Sequence, residues 1–459
     1  MKARASVLPV LLACVCALVG CGRDGSDQGS REVAPIPRRT VVWLTADGVD
    51  DATAAGLAAV GVDQLVVTRG TIMMSGGAPV LRLRDAPPVE GPIPTAVALE
   101  IRGLGSGITD ETAAAVWTAL EADFGTRLPA ELILDLPELG ERSHDLVAEL
   151  AEESGLAVVP LLTISQVATA EGRAVVEAAH GCIVPVFGTA GTGLRGVDEL
   201  GAQKLSDRLA SIAELGARVR LAAALRPRTE PSVDGWAADI EPLTDEDNAE
   251  IRRSSTLDRS FLVKRAMSWA GREWTAGETV AVAWVDTAKL RSFLAESQRM
   301  VLPELAGWDL VTLPPPGSNL GLDRDELISF FEGAGPEPVV DVDLERTGHT
   351  VTVTLTNTDG FRSAITGFGN WVQVELESGS LVATSRGDFD RIILGALTNG
   401  QFQPNPAGGP NAVRFVETYL APGETLEAGS IRLPSNRSRV VVRWQIQLSD
   451  GTAVTGVAE

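Results

Sequence analysis

The chain has 459 residues, 44% hydrophobic and 22% charged, which is the balance of a globular protein with room for two or three domains and a large core. Its net charge of -22 and pI near 4.6 exclude the basic stripe that nucleic-acid phosphates require, and argue against electrostatic docking on anionic lipid. Three scattered histidines, His144, His180 and His349, form no His/Cys cluster, so no metal and no cofactor is expected.

At the N-terminus, Met1-Lys2-Ala3-Arg4 is a short basic head, and Val7 to Val19 is an apolar stretch too short to span a bilayer. It runs into Leu18-Val19-Gly20-Cys21, which resembles the lipobox of bacterial lipoprotein signal peptides. The resemblance implies that residues 1–20 are removed and that Cys21 carries lipid. The lipid bilayer is then a partner through Cys21, with the folded body outside the cytoplasm. Gly22, where an Asp would suggest retention at the inner membrane, points to the outer membrane in cells that have one. Only Cys182 is left as a thiol, within the apolar run Cys182-Ile183-Val184, where a buried structural role is expected. Residues 21–39 read as a flexible tether.

The next stretch, residues 40–335, repeats a strand-then-helix rhythm. Thr40-Val41-Val42-Trp43-Leu44 leads into the acidic turn Asp47-Gly48-Val49-Asp50-Asp51, with Asp50 or Asp51 as the cap of a helix ending at Gly61. Gln64–Thr68 is the second strand. Pro79–Leu83 alternates, so a hairpin is expected in place of the second crossover helix. Thr95–Ile101 is the third strand, followed by a helix from Thr109. Glu131-Leu132-Ile133-Leu134-Asp135 is the fourth, followed by a helix over Glu141–Glu153. Ala157–Leu162, Cys182–Phe187 and Arg218–Ala224 follow, with helices expected over Ser165–His180 and Val197–Leu215. A long insertion at about 226–285 then interrupts the rhythm, before a helix over Thr287–Arg299, the strand Trp308–Leu313 and a closing helix at Asp323–Phe331.

Eight such strands predict an α/β fold of the (β/α)8, or TIM-barrel, type; the alternative is an open doubly wound sheet. An open sheet calls for a glycine-rich phosphate turn after an early strand, and the first turn carries carboxylates instead. Residues 336–459 alternate at period two, as in Thr350-Val351-Thr352-Val353 and Arg439-Val440-Val441-Val442, which predicts an all-β sandwich domain.

In a barrel the functional groups gather at the C-terminal strand ends. The acids there are Asp47, Glu100, Asp135 and Glu138, and Asp135 is the central candidate because an apolar run leads straight to it. Two facing carboxylates have the means for glycoside hydrolysis, one protonating the leaving oxygen and the other attacking or activating water. The same acids could instead cap helices. Ser106, in a glycine-rich stretch, reads as part of a rim loop. Trp236, Trp269, Trp274 and Trp284 cluster in the insertion; Trp236 and Trp274 are candidates for stacking a sugar, though such residues also pack cores.

The strand with Trp43, the Ile133-Leu134-Asp135 strand end, Pro160-Leu161-Leu162-Thr163-Ile164 and Gly307-Trp308-Asp309-Leu310-Val311-Thr312-Leu313-Pro314 together resemble the bacterial lipoprotein family known as domain of unknown function 3142. That resemblance implies a glycosidase-like barrel, with Asp135 matching the acid such proteins show after the fourth strand. Relatives often carry a second acid two residues on, where this chain has Pro137. The expectation is an exported, lipid-anchored protein that binds or hydrolyses envelope or extracellular polysaccharide. The alternative is a non-catalytic surface protein that keeps the barrel as a scaffold.

Overall fold

In the computed structural model the described residues run from 39 to 458, except 45–49, 76–77, 84–91, 105–107, 109–110, 125–127, 188–211, 213, 215, 226, 232, 234–239, 246, 253–258, 300–304, 314–319, 323, 334–338, 359–360, 399, 405, 407 and 449–452. The expected signal peptide, Cys21, the expected tether as far as residue 38, Asp47, Ser106, Trp236 and most of the helix expected at Val197–Leu215 lie outside the described residues; Arg39, expected to end the tether, already belongs to a strand.

The chain begins with β1 (Arg39–Leu44), α1 (Asp51–Ala59), β2 (Gln64–Ser75), β3 (Ala78–Leu83), β4 (Thr95–Arg102), α2 (Thr112–Phe124), β5 (Glu131–Asp135) and α3 (Ser143–Ser154). It continues through β6 (Ala157–Leu161), α4 (Ile164–Val167), α5 (Ala170–Ala178), β7 (Gly181–Phe187) and β8 (Arg218–Ala224). The insertion holds β9 (Arg228–Glu230), α6 (Glu241–Thr244), β10 (Ala249–Arg252), β11 (Arg259–Val263), β12 (Met267–Trp269), β13 (Arg272–Trp274) and β14 (Thr279–Ala283). Then come α7 (Thr287–Arg299), β15 (Leu305–Val311) and α8 (Arg324–Phe331).

Strands β1, β15, β8, β7, β6, β5, β4 and β2 pair in that order, all parallel, and β1 also pairs with β2. That last pairing closes the ring, so the sheet is an eight-stranded parallel barrel and the open doubly wound alternative is excluded. The hairpin expectation also holds: β3 runs antiparallel to β2. Strand β2 is longer than the run Gln64–Thr68 predicted, because it continues beyond the barrel to pair with β3.

Alternation, broken only at local register shifts, sorts the described strand residues. Val42, Leu44, Leu65, Leu99, Leu132, Leu134, Val184 and Leu221 face outward into the layer shared with the helices. Val41, Trp43, Val66, Ala96, Ala98, Ile133, Leu161, Ile183, Ala222 and Val311 fill the barrel interior. The small interior residues Ala96, Ala98 and Ala222 offset the volume of the Trp43 indole, so the lumen is packed.

Local chemistry explains the helix starts. Asp50 caps α1, accepting from the Thr53 backbone N–H at 2.6 Å. The helix expected over Ser165–His180 is two helices, because Thr169 starts a new one by accepting from the Gly172 N–H. At Gly172 a Cβ would meet the Gln166 carbonyl oxygen at 2.0 Å, so only glycine permits the close turn between α4 and α5.

The insertion has its own core, built on Phe261, Trp269, Trp274 and Val280, and joined by Leu320, Ile365 and Tyr419 from the segments that follow. The remaining strands are all antiparallel: β16 (Val340–Thr347), β17 (Thr350–Asn357), β18 (Asn370–Leu376), β19 (Arg391–Thr398), β20 (Gln401–Pro404), β21 (Ala412–Glu417), β22 (Thr425–Glu427), β23 (Ile431–Arg432), β24 (Val440–Gln447) and β25 (Ala453–Ala458). They form one sheet around β16 and β17 and a second of six strands, β20-β19-β21-β18-β24-β25, with a shared core of Val351, Val353, Val372, Phe389, Phe415 and Trp444 among others.

Candidate active site

Parallel barrel strands carry alternate residues inward, so Glu131, Ile133 and Asp135 must share the lumen side of β5, as Ala96, Ala98 and Glu100 share that of β4. The register places Glu100 directly beside Asp135, at the C-terminal ends of both strands. Neighbouring strands lie about 4.8 Å apart, so the two carboxyl groups leave the wall side by side. Both residues are buried, at 8% and 5% exposure.

Their surroundings differ. Glu100 is held by the guanidinium of Arg102, with Nε and Nη2 at 2.8 and 2.7 Å from Oε1. The Thr71 hydroxyl donates to Oε2 at 3.3 Å. Thr71 reaches inward because β2 slips register between Thr68 and Gly70. The extra residue switches the parity of the strand, turning Thr71 to Glu100 and Ile72 to the outer core. Gly70, at φ +147°, permits this: a Cβ there would sit 2.2 Å from the Arg82 carbonyl oxygen.

Asp135 has no such support. Its Oδ2 is buried without a hydrogen-bond partner among the described residues. Burial, and secondly the Glu100 charge, push its carboxyl up to about 8, against a smaller lowering by Arg102. Asp135 is therefore a neutral acid at pH 7, a proton donor beside an ion-paired carboxylate.

Of the other expected site residues, Glu138 is exposed on the turn beyond β5, and its charge reaches Arg102. It does not cap α3, which starts at Ser143 with no side-chain cap. Trp274 is a correction. It is 1% exposed, donates from its indole to the Trp269 carbonyl at 3.2 Å, and has the Arg272 guanidinium over its ring at 4.1 Å. The insertion needs large side chains to make a core of its own, and Trp274 is used there, with no face left for a sugar. Cys182 is a buried free thiol, pushed up to about 12 by burial, as expected of a structural residue.

A second polar group lies deeper in the lumen. Arg220 reaches Glu131 at 2.6 Å, Asp309 at 3.0 Å and Gln64 at 3.4 Å, and the Trp43 indole donates to Asp309 at 2.7 Å. None of these residues stood out in the sequence as an interior charge. The parity of β5 was the available signal, since an inward Asp135 requires an inward Glu131. Burial pushes Asp309 up to about 6, while Arg220 and the Trp43 hydrogen bond hold it down. Among the described residues no group of His, Cys, Asp and Glu side chains is arranged to hold a metal ion.

No family model and no curated protein matches the chain. Similar solved structures include the Bacillus cereus spore cortex-lytic enzyme SleL, at 10% identity and TM-score 0.39 over 65% of this chain and 74% of that one. The putative sporulation-specific glycosylase ydhD from Bacillus subtilis gives 11% identity and TM-score 0.34 over 52% and 88%. A Cellulomonas fimi endo-beta-1,4-mannanase double mutant gives 9% and 0.31 over 92% and 93%. The chemistry of the barrel mouth rests on its own side chains.

Proposed function

We propose that this barrel binds and hydrolyses a polysaccharide, with Asp135 as proton donor and Glu100 as the ionised partner. The observation that carries the reading is Asp135: a buried carboxyl at the barrel mouth, protonated near neutral pH, with an oxygen that nothing else in the site uses. In glycoside hydrolysis such a group protonates the departing oxygen, and a low-dielectric wall keeps its proton available at pH 7. Glu100, charge-paired with Arg102, stabilises or attacks the developing cation at the anomeric carbon. Carboxyl groups on adjacent strands in the same register lie near the spacing of retaining enzymes, about 5–5.5 Å, and short of the wider gap that inversion needs. Net retention is thus the expected stereochemistry. Asp47, on the turn after β1, and Trp236, in the insertion, belong to the same proposal by their place in the sequence. So do the two-domain division at about 335, the kinship with domain of unknown function 3142 and the anchoring to an envelope bilayer through lipidated Cys21.

A glycan panel screened for reducing ends and for binding tests the reading. The expected result is turnover of at least one polymer, lost in Asp135→Asn while binding persists. The non-catalytic alternative draws support from Pro137, which occupies the place of a second acid, and from Glu100, whose two oxygens already have partners. Binding without turnover, unchanged in Asp135→Asn, decides for it. For the anchor, labelling cells with a fatty-acid probe should mark the wild type and not Cys21→Ala.

A further inference from the structure

The six-stranded sheet turns alternate residues into its core, so the others form an outward face. Val372, Val374 and Leu376 of β18 point inward, which leaves Trp371, Gln373 and Glu375 outward. By the same parity Arg414 of β21 and Arg443 of β24 face outward, each in register with Gln373. Arg414, Gln373 and Arg443 therefore form one row across three strands.

The row is tied together. Arg414 Nε donates to Gln373 Oε1. Gln373 donates to Glu375 Oε1 at 2.5 Å, and Arg443 Nε reaches the same oxygen at 3.0 Å. The Arg414 guanidinium carbon lies 4.3 Å from the ring centres of both Trp371 and Phe402. The Phe402 ring lies across Gly395, where a Cβ would meet it at 2.4 Å, so the aromatic has a seat that only glycine provides. At the end of the face the Arg391 guanidinium lies 4.7 Å from the ring of Phe368, at 67% the most exposed large hydrophobic side chain among the described residues.

Charge distinguishes this surface from the rest of the chain. The molecule carries a net charge of -22, yet the outward positions of β18, β19, β21 and β24 hold three guanidiniums, on Arg391, Arg414 and Arg443, against the single carboxylate of Glu375. Packing accounts for Arg414 covering Trp371 and Phe402. It does not account for Arg443, whose side chain is half exposed, or for Phe368. Aromatic rings offer flat apolar faces, and arginine offers a planar fork matched to a carboxylate. A sugar ring bearing a carboxylate has both complements.

We propose that this outward face binds an acidic polysaccharide, with the exposed Phe368 ring against a sugar face and Arg414 and Arg443, the first held in place by Trp371 and Phe402, on the carboxylates. The proposal specifies the substrate class of the polysaccharide reading above, but it needs no turnover at Asp135.

The test is calorimetric titration of the full chain with polygalacturonate, with carboxyl-reduced polygalacturonate and with single-stranded DNA as comparators. Expected is binding of polygalacturonate alone, weakened by added salt. Arg414→Gln and Phe368→Ala should each weaken it about tenfold or more, about 1.4 kcal/mol per factor of ten. Arg414→Lys, which keeps the charge and loses the fork, should not restore it. Arg443→Gln, at a half-exposed position where the amide can still donate to Glu375, should weaken it several-fold. Asp135→Asn should bind as wild type does, so loss of turnover and loss of binding separate the two proposals. No binding, equal binding of the carboxyl-reduced polymer or of DNA, or unchanged affinity in Arg443→Gln and Arg414→Gln overturns the inference.

Discussion

The barrel lumen buries carboxylates at two levels, raises the pKa of Asp309 in one and of Asp135 in the other, and differs in the countercharge it sets beside each. In the deeper group Arg220 stands between Glu131 and Asp309, and Trp43 adds a donor. At the mouth Glu100 has its own arginine, but Asp135 has a buried oxygen without a partner and keeps its proton. The contrast separates two uses of a buried acid. Where countercharge and donors surround it, the acid is part of the framework. Where they are withheld, the cost of ionisation is stored as a raised affinity for a proton, which a reaction can use.

The largest effect expected from this contrast comes from breaking the deep group. Arg220→Met leaves Glu131 and Asp309 buried without their shared cation, which costs about 3–5 kcal/mol. Asp309, no longer held down by Arg220, then rises further in pKa, the folded state holds more protons than the unfolded one, and the deficit grows as pH rises above 6. Urea unfolding at several pH values measures it. Replacing Arg220, Glu131 and Asp309 together by apolar residues of similar size should recover most of the loss; a triple variant as weak as Arg220→Met would show that the group does more than neutralise itself.

Asp135→Asn should act with the opposite sign. The folded carboxyl holds its proton to about pH 8 and the unfolded one only to its ordinary value of 3.8, so ionising Asp135 destabilises the wild type as pH rises through that window. Asparagine carries no such charge, though its amide is left partly unsatisfied at a cost of about 1–3 kcal/mol. The variant is expected to be more stable than wild type by roughly 3–5 kcal/mol at pH 9 and no more stable at pH 4–5. Curves that stay parallel over this range would mean that Asp135 is not protonated in the fold.

Much of this framework could be read along the chain, and the exceptions have physical causes. The strand Glu131–Asp135 was legible because a doubly buried parallel strand is an apolar run with an abrupt end, and Asp135 marked that end. Arg220 was not, since Arg218-Val219-Arg220 reads as the solvated start of a strand; closure of the ring is what turns Arg220 toward Glu131, 89 residues away. The place of Thr71 depends on a register slip that leaves no periodic trace. The tryptophans of the insertion looked like a sugar platform because composition cannot tell a ring lining a cleft from one filling a small core, and Trp274 fills a core.

The finest test of the contrast lies within the mouth, where two neighbours pull Asp135 in opposite directions. The Glu100 charge opposes ionisation of Asp135 and the Arg102 charge favours it. Glu100→Gln should therefore lower the pH at which Asp135 titrates, and Arg102→Gln should raise it. The Arg102 side chain is 55% exposed, so solvent screens it and its effect should be the smaller, a fraction of a pH unit. Carbon-detected NMR of labelled aspartate follows the carboxyl itself and needs no activity, which matters because Glu100→Gln is expected to be inert as a catalyst. Burial is the first cause of the raised value, so neither variant should bring Asp135 down to the ordinary aspartate range. Shifts of the same sign in both variants would place the electrostatic partners of Asp135 elsewhere than Glu100 and Arg102.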